Sequence, residues 1–334
     1  MTVKRNIAGL SFIVMLASGC VKDTTSTTET VGNWIRRSDF EGVGRSEAVA
    51  VTLDGKAFIG LGYDGTNRLT DFWEYDSQSD FWKKKAAFPG VARSSGVAFA
   101  ASGKIYAGLG FDGVNTLNDF WAYDPVADSW TRVADFAGSA RYDAVAFGLN
   151  DKGYVCSGYD GNYLKDFWEY DPVGNTWIQK VSPGGSKRSD AVVFVIGEKA
   201  YLACGTNNGS YLNDLWEYDA VQEKWTEKRK ISNVSDETYD DSYTIMRSNA
   251  IAFAIDGKGY ITTGSNGGLT NTCWEYEPVT DTWSEKTSFE GTSREGAVAF
   301  GINGKGFITT GRSSGLRLDD LREFSPASTY EEND

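Results

Sequence analysis

Apolar residues fall into short segments separated by turn-forming residues along most of the chain, and one aromatic unit recurs among them. The clearest copy occupies residues 166–171, with the sequence DFWEYD, and a second tryptophan follows at Trp177. Copies begin at residues 71, 119, 166, 214, 272 and 320, and the two tryptophans are nine residues apart wherever both are present. A repeat of about 50 residues is typical of propellers and other repeat arrays.

Four short strands are predicted in each repeat. In the second repeat they are expected at residues 97–101, 105–110, 119–124 and 130–133. Asp-Gly or Asn-Gly dipeptides follow the first strand of several repeats, and they supply the positive φ angles of type I′ hairpin turns. Four-stranded antiparallel sheets repeated around a centre form a β-propeller, which leaves only short sheet edges. The pattern therefore predicts an all-β, six-bladed propeller with four antiparallel strands per blade.

The two ends of the propeller are predicted to meet in its last blade. The sixth copy of the unit lacks its second tryptophan, whereas Trp34 stands one repeat length before Trp82. We therefore expect an N-terminal strand around Trp34 to complete the sixth blade and to remove the open edges that a linear array would expose. The propeller is thus placed at residues 32–327, and a polar tail at 328–334 is expected to be disordered.

Two further features recur with the aromatic unit: one glycine ends each second strand, and one arginine precedes each first strand. The glycines are Gly62, Gly110, Gly158, Gly205, Gly264 and Gly311, and the arginines are Arg45, Arg93, Arg141, Arg188, Arg247 and Arg294. With the Trp-x-Tyr strand and the later tryptophan, these features make residues 34–326 resemble the Kelch family of β-propellers. The family's double glycine is single here, because leucine, serine, cysteine or threonine stands at its first position.

Residues 1–20 resemble a bacterial lipoprotein signal peptide. Basic residues precede an apolar run at 7–17 that is too short to span a bilayer, and the segment LASGC ends at Cys20. The resemblance implies that Cys20 is lipidated and anchors the protein in the outer membrane, facing the periplasm or the cell surface. An ordinary secretory signal is the alternative. The threonine-rich residues 21–31 are expected to form a flexible tether.

Charge and composition exclude several classes of function. The chain carries 33 basic and 46 acidic residues, a net charge of −13, which disfavours binding to nucleic acid phosphates. It contains no histidine, which excludes Ser-His-Asp and Cys-His catalysis as well as histidine-ligated metal sites. No glycine-rich phosphate loop follows a strand and opens a helix. We therefore expect no nucleic acid partner, no metal ion and no cofactor.

Two local features leave alternatives open. Cys156 and Cys204 lie near the ends of successive second strands, where either a disulfide or buried free thiols would fit. The step between the fourth and fifth repeats is longer than the others because of an acidic insertion at residues 230–246. Four of its carboxylates could hold Ca²⁺ as an alternative to a solvated loop: Asp236, Glu237, Asp240 and Asp241.

Candidate binding residues gather on the loop face, our name for the face that carries the connections entering first strands and leaving second strands. The six recurring arginines are candidates there. The alternative is that they pair with the aspartates of the aromatic units between repeats, because an unpaired ring of like charges would repel itself. Aromatic, amide and charged loop residues also suit a sugar or a peptide. These further candidates are Tyr63, Asp64, Phe111, Asp112, Tyr159, Asp160, Asn207, Asn208, Asn266 and Arg312.

The leading functional prediction is a monomeric, envelope-anchored binding protein without catalytic residues, whose loop face takes a glycan or a protein ligand. The Kelch resemblance implies an enzymatic alternative, a metal-free mutarotase or epimerase of the sialic-acid type. In that case Glu47, Asp143 and Asp190 would supply the acid and base groups. A scaffold subunit of an envelope complex is the second alternative.

Overall fold

The computed structural model describes residues 1–2 and 31–332. Cys20, nearly all of the predicted signal peptide and most of the predicted tether therefore lie outside the described residues. Within the described part, six four-stranded antiparallel sheets confirm the six-bladed propeller, and two small hairpins are added on loops. Helical structure in this part is limited to one 3₁₀ turn at Thr238–Asp240, and no helix there is long and apolar enough to cross a membrane.

The first three blades follow the predicted strand order closely. The strand nearest the N-terminus is β1, Asn33–Arg37. Blade 1 contains β2 Val49–Leu53, β3 Lys56–Gly60, β4 Phe72–Asp76 and β5 Phe81–Lys85. Blade 2 contains β6 Val97–Ala101, β7 Lys104–Gly108, β8 Phe120–Asp124 and β9 Ser129–Arg132. Blade 3 contains β10 Val145–Leu149, β11 Lys152–Cys156, β12 Phe167–Asp171 and β13 Thr176–Lys180.

The last three blades include the two extra hairpins. Blade 4 contains β14 Val192–Ile196, β15 Lys199–Ala203, the hairpin β16 Thr206–Asn207 and β17 Ser210–Tyr211, then β18 Leu215–Asp219 and β19 Lys224–Glu227. Blade 5 contains β20 Ile251–Ile255, β21 Lys258–Thr262, β22 Cys273–Glu277 and β23 Thr282–Lys286. Blade 6 contains β24 Val298–Ile302, β25 Lys305–Thr309, the hairpin β26 Arg312–Ser313 and β27 Leu316–Arg317, then β28 Leu321–Ser325.

The first strands of the blades line a narrow central channel with a cavity of about 320 Å³. Their small side chains let neighbouring strands approach each other closely. A Cβ added at Gly148 of β10 would lie 1.9 Å from the carbonyl oxygen of Ala100 in β6. No side chain fits at such a distance, so glycine is required where these two blades meet.

The second tryptophan of each aromatic unit joins its blade to the preceding one. In blade 2, the Trp130 ring lies 5.0 Å from Phe72 and 5.2 Å from Phe88, both in or next to blade 1. Its indole nitrogen donates a hydrogen bond of 2.8 Å to the carbonyl oxygen of Ala86. Large aromatic side chains bury much apolar surface and favour such tilted contacts. The regular spacing of the tryptophans along the sequence therefore reflects an interface that recurs between successive blades.

The ring closes as predicted, because β1 is the outer strand of blade 6. β1 pairs with β28 in antiparallel register, with Trp34 opposite Phe324. The rings of these two residues are 4.6 Å apart, and Trp34 is fully buried. The backbone also continues to make contacts after β28, where Gly32 donates to the carbonyl of Ser328 at 3.2 Å. The first part of the tail predicted to be disordered therefore contacts the closing strand.

The cysteines of the described part are free thiols. Cys156, Cys204 and Cys273 are buried and unpaired, so the disulfide alternative is wrong. Burial raises the pKa of the Cys156 and Cys204 thiols to about 11, which keeps them protonated at neutral pH.

Candidate functional site

The recurring arginines are buried, and five of them form ion pairs within their own blades. In blade 2, Arg93 donates to the two carboxylate oxygens of Asp119 at 2.7 and 2.9 Å. The five pairs are Arg45–Asp71, Arg93–Asp119, Arg141–Asp166, Arg188–Asp214 and Arg294–Asp320. At most 1% of any of the six arginines is exposed, so they cannot reach a ligand. This burial contradicts their prediction as binding residues, and the expected Arg–Asp pairing occurs in five blades, within the blade instead of between repeats.

Each arginine also stabilises a strained backbone position. The residue before the strand-ending glycine adopts the left-handed conformation, as at Leu109 (φ 55°) and Thr263 (φ 57°). This region is unfavourable for leucine and still more so for a β-branched threonine. The carbonyl of Leu109 accepts a hydrogen bond of 3.0 Å from Arg93, and that of Thr263 accepts one of 3.0 Å from Arg247. The arginine thus holds the conformation that glycine would adopt without strain at the first position of a double glycine.

Blade 5 departs from this arrangement because Thr272 replaces the aspartate. Arg247 donates instead to the Thr272 hydroxyl at 2.7 Å and to backbone carbonyls. Burial lowers the pKa of Arg247, and the charge of Glu285 offsets this only in part. The indole nitrogen of Trp274 is buried without a hydrogen-bond acceptor, whereas the equivalent nitrogen of Trp121 donates to Asp119 at 2.8 Å.

A closed ring of backbone hydrogen bonds surrounds the mouth of the channel on the loop face. It is formed by the residues two positions after each arginine, and we call these six residues the mouth ring. They are Glu47, Ser95, Asp143, Asp190, Asn249 and Gly296, all with φ between 49° and 60°. Each N–H donates to the carbonyl of the preceding member, at distances of 2.7 to 3.3 Å, and Glu47 completes the circle by donating to Gly296. The ring fixes where the side chains of its five members other than Gly296 enter the channel.

The mouth pocket, a cavity of about 330 Å³, lies above this ring. It brings together five residues singled out from the sequence, Glu47, Asp143, Asp190, Phe111 and Arg312, with Asn249, the blade 5 member of the mouth ring. Its other four residues were not predicted from the sequence: Arg68, Ser94, Ser95 and Tyr142. Carboxylates, guanidinium groups and aromatic rings therefore converge in one concave site, as is typical of small-molecule sites.

Asp143 and Asp190 form an interacting pair of carboxyl groups in this pocket. Burial, followed by the charge of Asp190, raises the pKa of Asp143 well above its usual range. Burial also raises the pKa of Asp190, although hydrogen bonds from Ser189 and with Asp143 act in the opposite direction. Two neighbouring carboxyl groups cannot both ionise easily, so such a pair can offer one protonated and one ionised group.

The third carboxylate of the pocket is already paired. Glu47 accepts a hydrogen bond of 2.6 Å from Arg312, whose other contact is with Glu295 at 2.9 Å. Burial acts to lower the pKa of Arg312, but the hydrogen bond to Glu295 and the charge of Glu47 raise it overall. Ser95 donates to the second oxygen of Glu47 at 3.2 Å. These contacts hold Glu47 against the wall of the pocket.

Two other arginines lie at the mouth without a carboxylate partner. Arg68 lies 4.9 Å from the centre of the Phe111 ring and 5.2 Å from that of Tyr63, and Arg317 lies 5.3 Å from Tyr63. Within residues 31–332 neither arginine forms an ion pair, and the Nε atoms of both are buried without an acceptor. These two guanidinium groups therefore have no carboxylate partner among the described residues, and an anionic group could pair with them.

A series of aromatic contacts leads from the mouth pocket to a second cavity, the outer pocket. The ring of Tyr142 lies 5.5 Å from Phe111 and 5.7 Å from Tyr159, and Tyr159 lies 5.1 Å from Tyr163. The outer pocket has a volume of about 210 Å³. Its lining consists of Tyr159, Gly161, Asn162, Tyr163, Lys187, Asn207 and Asn208, so three predicted binding residues are brought together there.

The other predicted loop residues lie in neither pocket. The carboxylates of Asp64, Asp112 and Asp160 accept hydrogen bonds from backbone N–H groups of their own turns, at 2.6 to 3.0 Å. Aspartate side chains commonly stabilise turns in this way. The three carboxylates are therefore occupied by hydrogen bonds within their own turns. Asn266 is exposed in a turn closed by its N–H donating to the carbonyl of Gly268.

The acidic insertion packs against blade 5. Ile231, Tyr243 and Ile245 are buried in the core of that region, and Tyr243 accepts a hydrogen bond of 2.6 Å from the backbone N–H of Trp283. The carboxylate of Asp240 accepts from two backbone N–H groups of the insertion itself. Among the residues that the structure describes, no group of three or more carboxylate or cysteine side chains is placed to hold a metal ion, which leaves the calcium hypothesis without support.

Comparison with known proteins supports the repeat assignment. The Kelch motif matches residues 92–137, 140–184 and 187–230, which span blades 2 to 4. Among solved structures, the structure of YjhT is similar with a TM-score of 0.73 and 18% sequence identity, over 86% of this chain and 97% of that chain. At this identity the similarity establishes the fold alone. The comparison with curated proteins found no match. The chain thus carries Kelch motif repeats in a six-bladed β-propeller.

Proposed function

We propose that this protein binds a carboxylate-bearing glycan in the mouth pocket. The observation that supports this function is that Glu47, Asp143, Asp190, Phe111 and Arg68 converge on one cavity at the end of the channel. Carboxylates bind sugar hydroxyls, aromatic rings contact the apolar face of a sugar, and a guanidinium group pairs with a carboxylate.

Arg68 is the reason for proposing an acidic sugar instead of a neutral one. Its guanidinium group is oriented by the rings of Phe111 and Tyr63 and has no protein carboxylate to neutralise it. A sugar carboxylate would supply the missing partner. A hydrogen bond to a charged group contributes about 1.5–3 kcal/mol. Because about 1.4 kcal/mol corresponds to a tenfold change in Kd, loss of this contact should weaken binding roughly 10- to 100-fold.

The test is calorimetric titration with galacturonic acid, N-acetylneuraminic acid and neutral galactose. We expect at least one of the two acids to bind and galactose to bind more weakly. Arg68→Met and Tyr142→Ala should weaken binding of that acid, whereas Glu198→Gln, an exposed acid in the hairpin turn of blade 4, should not. Absence of binding by both acids would refute the proposal. A protein retained at fixed stoichiometry through purification would favour the scaffold alternative instead.

A second candidate function is anomer exchange by the same pocket. The observation that favours it is the interacting pair Asp143 and Asp190, in which one carboxyl group could donate a proton while the other accepts one. Opening a sugar ring requires both steps. Accelerated anomer exchange of N-acetylneuraminic acid, followed by NMR and lost in Asp143→Asn and Asp190→Asn, would establish catalysis. Binding without acceleration would limit the protein to recognition.

We further propose that the protein is anchored in the envelope through Cys20. The proposal depends on the apolar run and the LASGC segment that precede this cysteine. Incorporation of labelled palmitate into the full chain, lost in Cys20→Ala, tests it. Unlabelled protein recovered in the soluble fraction would indicate an ordinary secretory signal.

A further inference from the structure

We infer that the outer pocket is a second sugar subsite, so that the ligand is an oligosaccharide chain instead of a single sugar. This inference depends on the proposed glycan function of the mouth pocket, and it assigns a role to a cavity that this function does not use. Three properties of the outer pocket support this inference: its walls are rigid, several of its polar side chains make no hydrogen bonds within the described part of the protein, and it shares a wall with the mouth pocket.

The walls of the outer pocket are held by backbone hydrogen bonds. Tyr142 and Tyr159 exchange N–H to carbonyl bonds of 3.1 and 2.9 Å, and Ser189 and Thr206 exchange bonds of 3.1 and 3.0 Å. The hairpin of β16 and β17 places Asn207 in register with Ser210. The turn residues of this hairpin, Asn208 and Gly209, both have positive φ angles, as a tight hairpin requires. The pocket is therefore formed before a ligand arrives, which reduces the entropic cost of binding.

The side chains around the pocket have hydrogen-bonding capacity that the protein itself does not use. Within residues 31–332, no hydrogen bond engages the hydroxyls of Tyr159 and Tyr163, the amine of Lys187 or the side-chain amides of Asn207 and Asn208. Several donors and acceptors thus surround a cavity bounded on one side by two aromatic rings. This combination suits a sugar, which presents hydroxyl groups at its edge and C–H groups on its faces.

The two pockets share a wall formed by Tyr142 and Tyr159. Tyr142 lines the mouth pocket, Tyr159 lines the outer pocket, and their ring centres are only 5.7 Å apart. A ligand in the outer pocket therefore lies next to one in the mouth pocket. Two linked sugar rings can occupy both at once, and linkage makes the second binding event intramolecular. The positive charge of Lys187 suits a second acidic unit in the outer pocket.

The experiment compares chain lengths in calorimetric titrations of the full-length protein. The probes are galacturonic acid with its di- and trimer, and N-acetylneuraminic acid with its α2,8-linked di- and trimer. We expect the dimer of the acid that binds to have an affinity at least tenfold higher than the monomer. Tyr163→Ala and Asn207→Ala should remove this gain and leave monomer affinity unchanged. Asn115→Ala, in the corresponding loop of blade 2 outside both pockets, is the matched control.

The outcomes separate the subsite from the proposed function. If the monomer binds and the dimer binds no more tightly, the second subsite is refuted while the mouth pocket stands. A variant of the outer pocket that weakens monomer and dimer equally also refutes it, because the effect would then be structural. If neither series binds at any length, the proposed function fails and the subsite fails with it.

Discussion

Replacing Thr272 by aspartate should stabilise the protein, because blade 5 lacks a carboxylate that the other five blades possess. In blade 2, the carboxylate of Asp119 accepts two hydrogen bonds from Arg93 and a third from Trp121. In blade 5, Arg247 has only a hydroxyl and carbonyls as acceptors. Thr272→Asp would therefore give the buried guanidinium group a counter-charge and the indole of Trp274 an acceptor.

The expected gain in the free energy of unfolding is the balance of two favourable contributions and one unfavourable contribution. A hydrogen bond to a charged group contributes about 1.5–3 kcal/mol, and a buried donor without an acceptor costs about 1–3 kcal/mol. Burying a carboxylate costs several kcal/mol in a dry interior. That cost is smaller here, since the equivalent side chains of Asp71 and Asp119 keep 22% and 18% of their surface exposed. We expect a net increase in the free energy of unfolding of about 2 kcal/mol at pH 7.

Chemical denaturation with urea measures this change, with Thr272→Asn as the uncharged control. The asparagine can accept from the Trp274 indole but brings no charge, so its gain should be less than half that of the aspartate. Burial acts to raise the pKa values of Asp119 and Asp71, but the hydrogen bonds and charges of Arg93 and Arg45 hold them below their usual range. The gain should therefore be present above the usual aspartate pKa of about 3.9 and be lost as the pH falls through the lowered pKa of the folded state. A destabilised Thr272→Asp variant, or equal gains for both variants, would contradict the reasoning.

Three further predictions concern closure, the mouth pocket and the cysteines. Deleting residues 32–37 should lower the melting temperature sharply or cause aggregation, since blade 6 would lose its outer strand; an unchanged calorimetric melting curve would rule out the closing role of β1. Asp143→Asn should be more stable than the wild type at pH 7–8, and the difference should vanish toward pH 4. The raised pKa of Asp143 makes its contribution to stability largest below the unfolded-state pKa, and this contribution is lost as the pH rises through the folded-state value. Equal unfolding free energies across that range would refute this. Cys156 and Cys204 should react with a thiol reagent only after unfolding, because they are buried and their pKa values are about 11; rapid labelling of the native protein would disprove it.

The fold was predictable because each blade repeats the same physical solution. The tryptophan spacing reports a recurring interface, as Trp130 shows by packing on Phe72 and Phe88. The missing tryptophan of the last repeat and the repeat-length distance from Trp34 to Trp82 predicted that a strand around Trp34 completes blade 6, where Trp34 lies opposite Phe324. In a regular repeat protein each repeat packs on the next one in the same way. Contacts between residues far apart in sequence can therefore be inferred from the spacing of the repeats.

The site was only partly predictable. The spacing of residues along the sequence does not show how deeply a side chain is buried or in which direction it points. The position two residues after each arginine led to Asp143 and Asp190, which line the mouth pocket, whereas the arginines themselves are buried. Tyr142 was missed although it left a signal: the position after the arginine is serine in four blades and tyrosine in blade 3. Arg68 left no comparable signal, because it reaches the pocket by stacking on Phe111 of the next blade.

The mouth ring also determines how this site can change. Because its geometry depends on backbone atoms, a new side chain at one of its six positions need not move the other five. Left-handed φ angles are tolerated best by glycine, asparagine and aspartate, and three of these positions besides Gly296 already carry Asn or Asp. New recognition chemistry can therefore be introduced by single substitutions among these residue types, and the channel entrance keeps its diameter while its specificity diverges.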